Sequence, residues 1–162
     1  AMTRTTINSL CSLGACPNAV EWAKKSPSDQ EAWDACERAD WMLWIAAKLS
    51  GKRGSEKHRQ AVRAICACVR TVESKIPKKA IPALELAERV GKGENIPLSD
   101  LLAAADAAAN AAAADAAADA ADVAYAAYAA TYQAAWIATH KEMARIVRKI
   151  IPDVPTIGSD RP

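Results

Sequence analysis

The chain has 162 residues, a formal net charge of +2 and no phenylalanine. That length suits a single domain, and so weak a positive charge makes no case by itself for nucleic acid. Five cysteines in no regular framework, with no secretory apolar region, point to a reducing, cytoplasmic compartment.

Ala1-Met2 reads as a tag remnant followed by the start of the protein. Thr6 to Leu13 then predicts a short helix with Ile7, Leu10 and Leu13 apolar, ended by Gly14. Pro17 suits the first turn of a second helix, from Asn18 to about Lys25, which buries Val20 and Trp22. After the Ser26-Pro27 turn, Ser28 and Glu31 form a capping-box pattern for a third helix carrying Trp33 and Cys36. Asp40-Trp41-Met42-Leu43-Trp44-Ile45 opens a strongly apolar fourth helix. Gly51 and Gly54 mark a polar loop, and Ser55 with Glu56 starts a fifth helix running to about Ile76, stopped by Pro77. Its apolar face is read as Ala61, Val62, Ile65, Cys66, Val69 and Val72. Pro82 begins a sixth helix with Leu84, Leu86, Ala87 and Val90, which Gly91 and Gly93 end.

The stretch from Leu101 to Ile151 contains no Gly or Pro and is dominated by alanine, the best helix former. Ser99 and Asp100 supply its start, and Pro152 and Pro155 its end. At about 100° per residue, Asp115, Asp119 and Asp122 share one face, while Asp106 and Asn110 share roughly the opposite one. Tyr125, Tyr128, Tyr132 and Trp136 form a stripe that Met143, Ile146, Val147 and Ile150 continue in phase. Lys141, Arg145, Arg148 and Lys149 crowd the last turns, where they complement the helix dipole. One straight helix here would approach ~78 Å at ~1.5 Å per residue, against a radius of gyration of about 15 Å for a globule of this size. Two packed helices parting between Asn110 and Val123 resolve that mismatch. The acids Asp106, Asp115, Asp119 and Asp122 argue against a membrane span.

No run alternates with period two over the length of a strand. The expected fold class is all-α: a multi-helix bundle with a long alanine-rich C-terminal helix or helix pair. It forms one domain over residues 1–162, with 153–162 as an irregular tail. The tryptophan-bearing N-terminal helices should pack against the alanine-rich part.

Gly14-Ala15-Cys16, Ala19-Val20, Trp22, Ala32-Trp33, Cys36 and Asp40-Trp41-Met42-Leu43-Trp44 together form a block. It resembles the N-terminal signature of a family of immunity proteins found in bacteriophages and bacterial toxin-immunity loci. The alanine-rich segment and its closing Ile146-Val147-Arg148 and Ile151-Pro152 are similar to the rest of that family. The chain departs from the family in carrying acids and Asn but no Arg before Arg145 in that segment. The resemblance implies protection by binding, in a bacterial host cell, of a toxin or host defence component.

Four groups of residues are candidates for function. Asp115, Asp119 and Asp122, with Tyr125, Tyr128 and Tyr132, form a candidate surface for a protein partner; helix-exposed acids are more often simply solvated. Lys52, Arg53, Lys57, Arg59 and Arg63, with Lys48 and His58 nearby, could hold an anion such as a nucleotide, against the plainer reading of a solvated loop. The interleaved aromatics of single-strand binders are missing from that cluster, which argues against nucleic acid. Trp22, Trp33, Trp41 and Trp44 could line a ligand pocket, although such rings are more often core. Cys16 and Cys36, with His58 and His140, match no zinc spacing and read first as packing; a thiol nucleophile is the alternative. Cys66 and Cys68 fall on different helix faces and make a poor chelate.

The function expected is therefore non-enzymatic binding and neutralisation of a toxin or defence component, without metal or cofactor. A small-molecule sponge for a nucleotide signal, combining the basic cluster with the tryptophans, is the alternative. A thiol-dependent enzyme ranks below both. A homo-oligomer is compatible with the long alanine-rich segment.

Overall fold

The computed structural model describes residues 4–75, 78–101, 103–104 and 139–156. Among these residues the chain is helical with no strand, as an all-α fold requires. The helices are α1 (Arg4–Ser12), α2 (Pro17–Ala23), α3 (Asp29–Ala35), α4 (Ala39–Lys48), α5 (Glu56–Arg70) and α6 (Ile81–Gly91). Residues 98–101, 103–104 and 139–150 are also helical, and 151–156 are not. The proposed break between Asn110 and Val123, the acidic ridge and the tyrosine stripe lie outside the described residues.

The helix ends follow local chemistry. α1 closes with Gly14 at φ +87°, in the left-handed region that only glycine enters without strain. The Ala15 N–H donates to Leu10 O at 3.0 Å and the Gly14 N–H to Cys11 O at 3.0 Å, a Schellman closure. Ser28 caps α3 by accepting the Glu31 N–H at 3.2 Å. The reciprocal half of the capping box differs from expectation: the Glu31 carboxylate takes the Ser28 hydroxyl itself at 2.8 Å. Ser55 caps α5 in the same manner, accepting the His58 N–H at 3.2 Å and donating to Ser50 O at 3.0 Å.

One boundary departs from the sequence reading. α5 ends at Arg70 rather than near Ile76. There the Thr71 hydroxyl donates to Cys68 O at 2.6 Å and the Thr71 N–H bonds the same carbonyl, so the last turn tightens and the β-branched pair Thr71-Val72 does not extend it. α6 is ended by Gly93 (φ +95°), whose successor Glu94 donates to Arg89 O at 3.0 Å. Gly91 is the last residue of that helix, as expected, and also serves packing. A Cβ at Gly91 would stand 2.9 Å from Arg63 Cγ, so α5 and α6 approach over a glycine.

The core gathers α3, α4, α5 and the C-terminal helical residues. Trp33, Met42, Ala64, Cys68, Ala144 and Val147 are all buried in it. Alanines dominate the crossings: Ala39, Ala46, Ala61, Ala64 and Ala144 are each buried. Small side chains let helix backbones come close, so the contact is made by many short-range dispersion contacts rather than by a few large side chains. Ile65, expected on the apolar face of α5, is exposed.

The C-terminal end of the last helical stretch is held by side chains from other helices. A helix leaves its last carbonyls without intrahelical donors. Here Gln60 Nε2 donates to Ile150 O at 2.7 Å, the Trp33 indole N–H to Ile151 O at 2.9 Å, and Gln30 Nε2 to Pro152 O at 3.0 Å. Gln30 Oε1 accepts the Val154 N–H at 2.9 Å in return. Arg148, expected to serve its own helix dipole, reaches across to Cys36 O at 2.6 Å, one of the carbonyls that α3 leaves open.

α5 and α6 are also joined by charge. Arg70 makes a two-pronged contact with Glu88 at 2.7 and 2.8 Å and a further one with Glu73 at 3.0 Å. The hydrogen bonds from Arg70 hold the Glu88 carboxyl below its ordinary value of 4.5. A carboxyl whose folded pKa is depressed stabilises the fold above its unfolded pKa, and that contribution is lost as pH falls through the folded value. Glu88→Gln is therefore expected to lower Tm at pH 7. The difference from wild type should close as the pH drops below about 4. A Tm difference that is constant from pH 7 to pH 2 would contradict this.

Candidate functional site

The first four helices enclose a cleft of about 490 Å³. Trp33 and Met42 form its buried floor, and Trp22, Trp41 and Trp44 line its sides together with Leu10. Val154 and Pro155, placed by the Gln30 contacts, close one edge. All four tryptophans singled out in the sequence thus meet at one place. They serve the core and the cleft together: Trp33 is buried, while the other three are partly exposed.

The side walls are aromatic and ordered by mutual contact. Trp22 and Trp41 lie with ring centroids 6.0 Å apart at 57°, a tilted arrangement. The Arg38 guanidinium sits 4.4 Å from the Trp41 ring centre. Arg38 also donates Nε to Asp40 Oδ1 at 2.9 Å and a terminal nitrogen to Oδ2 at 2.6 Å. Burial acts to raise the Asp40 carboxyl, but the Arg38 hydrogen bonds and charge, with His140 nearby, outweigh it and hold the group below its usual value. His140 Nδ1 lies 3.6 Å from Asp40 Oδ1. A smaller cavity of about 240 Å³ runs behind this wall, bordered by His140, Lys141 and Glu37 and sharing Trp22, Cys36, Arg38 and Trp41 with the main cleft.

Cys16 and Cys36 both line the cleft, with different characters. Cys36 is buried, donates to Arg38 O at 3.6 Å, and has its thiol pKa pushed up by burial. A thiolate is the nucleophilic form, so Cys36 is held in its unreactive state. Cys66 and Cys68 are buried as well, and burial lifts Cys68 to about 11. Cys16 is exposed on the cleft wall. Of the two histidines, His140 borders the smaller cavity that Cys36 also lines, whereas His58 lies apart, accepting the Gly54 N–H at 3.3 Å and closing the glycine loop. Among the described residues no group of three or more His, Cys, Asp or Glu is placed to hold a metal ion.

The basic cluster is placed elsewhere. Lys52, Arg53 and Lys57 are exposed around the loop and the start of α5. Arg59 and Arg63 both pair with Glu56, at 3.0 and 2.6 Å, and Arg63 also donates to Gly91 O at 2.9 Å. Arg53 and Arg59 border a separate cleft of about 450 Å³ with Glu94 and Asn95. Of the five residues, none lines the tryptophan cleft. A sponge that needs the basic cluster and the tryptophans in one pocket is therefore not assembled by the described residues. No described helix is long and apolar enough to cross a membrane.

Known protein families, curated proteins and solved structures provide no match to this chain. The site is accordingly read from its own geometry. Arg38, Asp40 and His140 are residues that sequence reading did not single out as a group. Arg38 and Asp40 flank the Cys36 to Trp41 junction, and that spacing was visible. His140 comes from a hundred residues further along the chain, and only the fold brings it to Asp40.

Proposed function

We propose that the chain is a non-catalytic binding protein of the immunity or anti-defence kind, acting in the cytoplasm of a bacterial host cell. It neutralises a toxin or host defence component by holding it, or a small molecule on which that component depends. The tryptophan cleft is the observation that supports binding. Its volume falls within the range of about 300–1,000 Å³ usual for ligand sites. It is lined by aromatic rings with a few polar groups, the Thr6–Asp29 and Arg38–Asp40 pairs. Burial holds the Cys36 thiol in its protonated form, which weighs against Cys36 as a nucleophile in the cleft.

A second reading takes the resemblance of the N-terminal block at face value and places a protein partner on Asp115, Asp119, Asp122, Tyr125, Tyr128 and Tyr132. The two readings separate in one experiment. The tagged full chain is recovered gently from bacterial cells and weighed intact by native mass spectrometry. Alongside it run Ala19→Leu, which fills the cleft wall, and the double charge reversal Asp115→Lys/Asp119→Lys. A small companion mass lost from Ala19→Leu alone is the expected result. A protein companion lost from the charge reversal alone would support the second reading. Recovery of the bare chain in every case would refute binding as the function.

A further inference from the structure

We infer that the tryptophan cleft takes an uncharged, planar, largely apolar small molecule. This rests on the binding reading above and names the ligand class of that site. Three observations converge on it. The first is shape and size. At about 490 Å³ the cleft accommodates a fused-ring molecule, and the partly exposed rings of Trp22, Trp41 and Trp44 line it. A planar ligand loses little conformational entropy on binding and gains aromatic contact with such rings.

The second is charge. Arg38 is the one basic residue on the cleft wall among the described residues, and it is already committed. Its fork is closed on Asp40 at 2.9 and 2.6 Å, and the same group lies over Trp41. An anionic ligand would have to part this pair or enter without a counter-charge, and an unpaired ion loses far more solvation than an apolar wall returns. Asp29, the other acid on the wall, accepts the Thr6 hydroxyl at 3.1 Å and sits in the first turn of α3, where the helix terminus offsets its charge. The third is the placement of the basic cluster. Lys52, Arg53, Lys57, Arg59 and Arg63 do not line this cleft, and Lys48, which does not line it either, is drawn to the Trp44 ring at 5.9 Å from its centre.

The test uses the full chain and two matched probes, neutral N-phenylnaphthylamine and its sulfonated analogue anilinonaphthalene sulfonate, with ATP as a third ligand. Binding is read by energy transfer from tryptophan to probe. The neutral probe is expected to saturate at one per chain. It should bind about ten-fold more tightly than the sulfonate, a difference of about 1.4 kcal/mol, and ATP should not displace it. Ala19→Leu should weaken the neutral probe about ten-fold while leaving Tm and far-ultraviolet circular dichroism unchanged, since a leucine there occupies ligand space on a helix that tolerates it. Asp40→Asn should free the Arg38 charge and close the gap between the two probes, chiefly by tightening the sulfonate.

Tighter binding of ATP or the sulfonate by the wild-type cleft, sensitive to Ala19→Leu, would overturn the ligand class and leave the binding site in place. Saturable binding of none of the three would also overturn it. If native mass spectrometry still finds a companion that Ala19→Leu removes, only the ligand class has failed; if it does not, the binding reading fails with it.

Discussion

Trp33→Ala is expected to leave the protein unfolded or nearly so at 25 °C. Trp33 is 4% exposed and its indole N–H donates to Ile151 O at 2.9 Å. Removing a buried ring of this size costs about 3–5 kcal/mol through lost transfer energy and the cavity left behind. The Ile151 carbonyl then loses its donor, which adds about 1–3 kcal/mol. The total is comparable with the whole stability of a domain, about 5–15 kcal/mol. Trp33→Phe separates the two contributions, because it keeps most of the ring and removes the N–H. It should fold, with a loss of about 2–3 kcal/mol in urea unfolding followed by circular dichroism. Equal behaviour of the Ala and Phe variants would mean that the hydrogen bond carries the effect and the ring does not. A Trp33→Ala variant within about 1 kcal/mol of wild type would contradict the core described above.

The second large effect is expected from enlarging a buried alanine. Ala64 is 0% exposed and lies in the core with Ala61, Ala144 and Val147. Ala64→Leu inserts side-chain volume where helices approach over small residues. Overpacking of this kind costs about 1–3 kcal/mol and sometimes more, since backbones must move apart. Ala47, in α4 and exposed, is the matched control. Ala47→Leu should stay within about 0.5 kcal/mol of wild type, leucine being nearly as good a helix former. Both are read by urea midpoint with the slope m checked for constancy. A neutral Ala64→Leu would mean that the crossing is loosely packed and that its alanines have no steric role.

These two predictions bear on function through the same contacts. Trp33 is both the floor of the cleft and the donor that positions Ile151 and the chain leading to Val154 and Pro155. Gln30 completes that edge by bonding Pro152 O and the Val154 N–H. One edge of the cleft is thus set by contacts 118 to 124 residues apart in sequence. Local unfolding of the C-terminal element would open it, so binding affinity should track stability in variants at Trp33 and Gln30 and not in variants at Arg53.

The positions of the helices were legible because their signals are local. Gly14 and Gly93 stop helices because the left-handed backbone there carries no penalty for glycine. Ser28 and Ser55 start them because a side-chain oxygen can accept an N–H three residues on. The early end of α5 was not legible, since Thr71 competes for the Cys68 carbonyl only once a tightened turn is formed. Nor was the role of Gly91, which depends on Arg63 from another helix.

Sequence alone was enough for the all-α class and most helix boundaries, and it singled out the four tryptophans as core or pocket residues without deciding between the two. Periodicity, caps and breakers act within a few residues of chain, and so they can be read along it. Tertiary structure decided which of the tryptophans remain partly exposed and which alanines are buried. It also decided that Arg38 is spent on Asp40, that Arg59 and Arg63 are tied to Glu56, and that the basic loop stands apart from the tryptophan cleft. Burial and the placement of the loop depend on which faces meet across separations of tens to more than a hundred residues, whereas the Arg38–Asp40, Arg59–Glu56 and Arg63–Glu56 pairs are local and only their side-chain geometry shows that they close. Composition and spacing hold no measure of such distances, because burial is a property of the packed helices together.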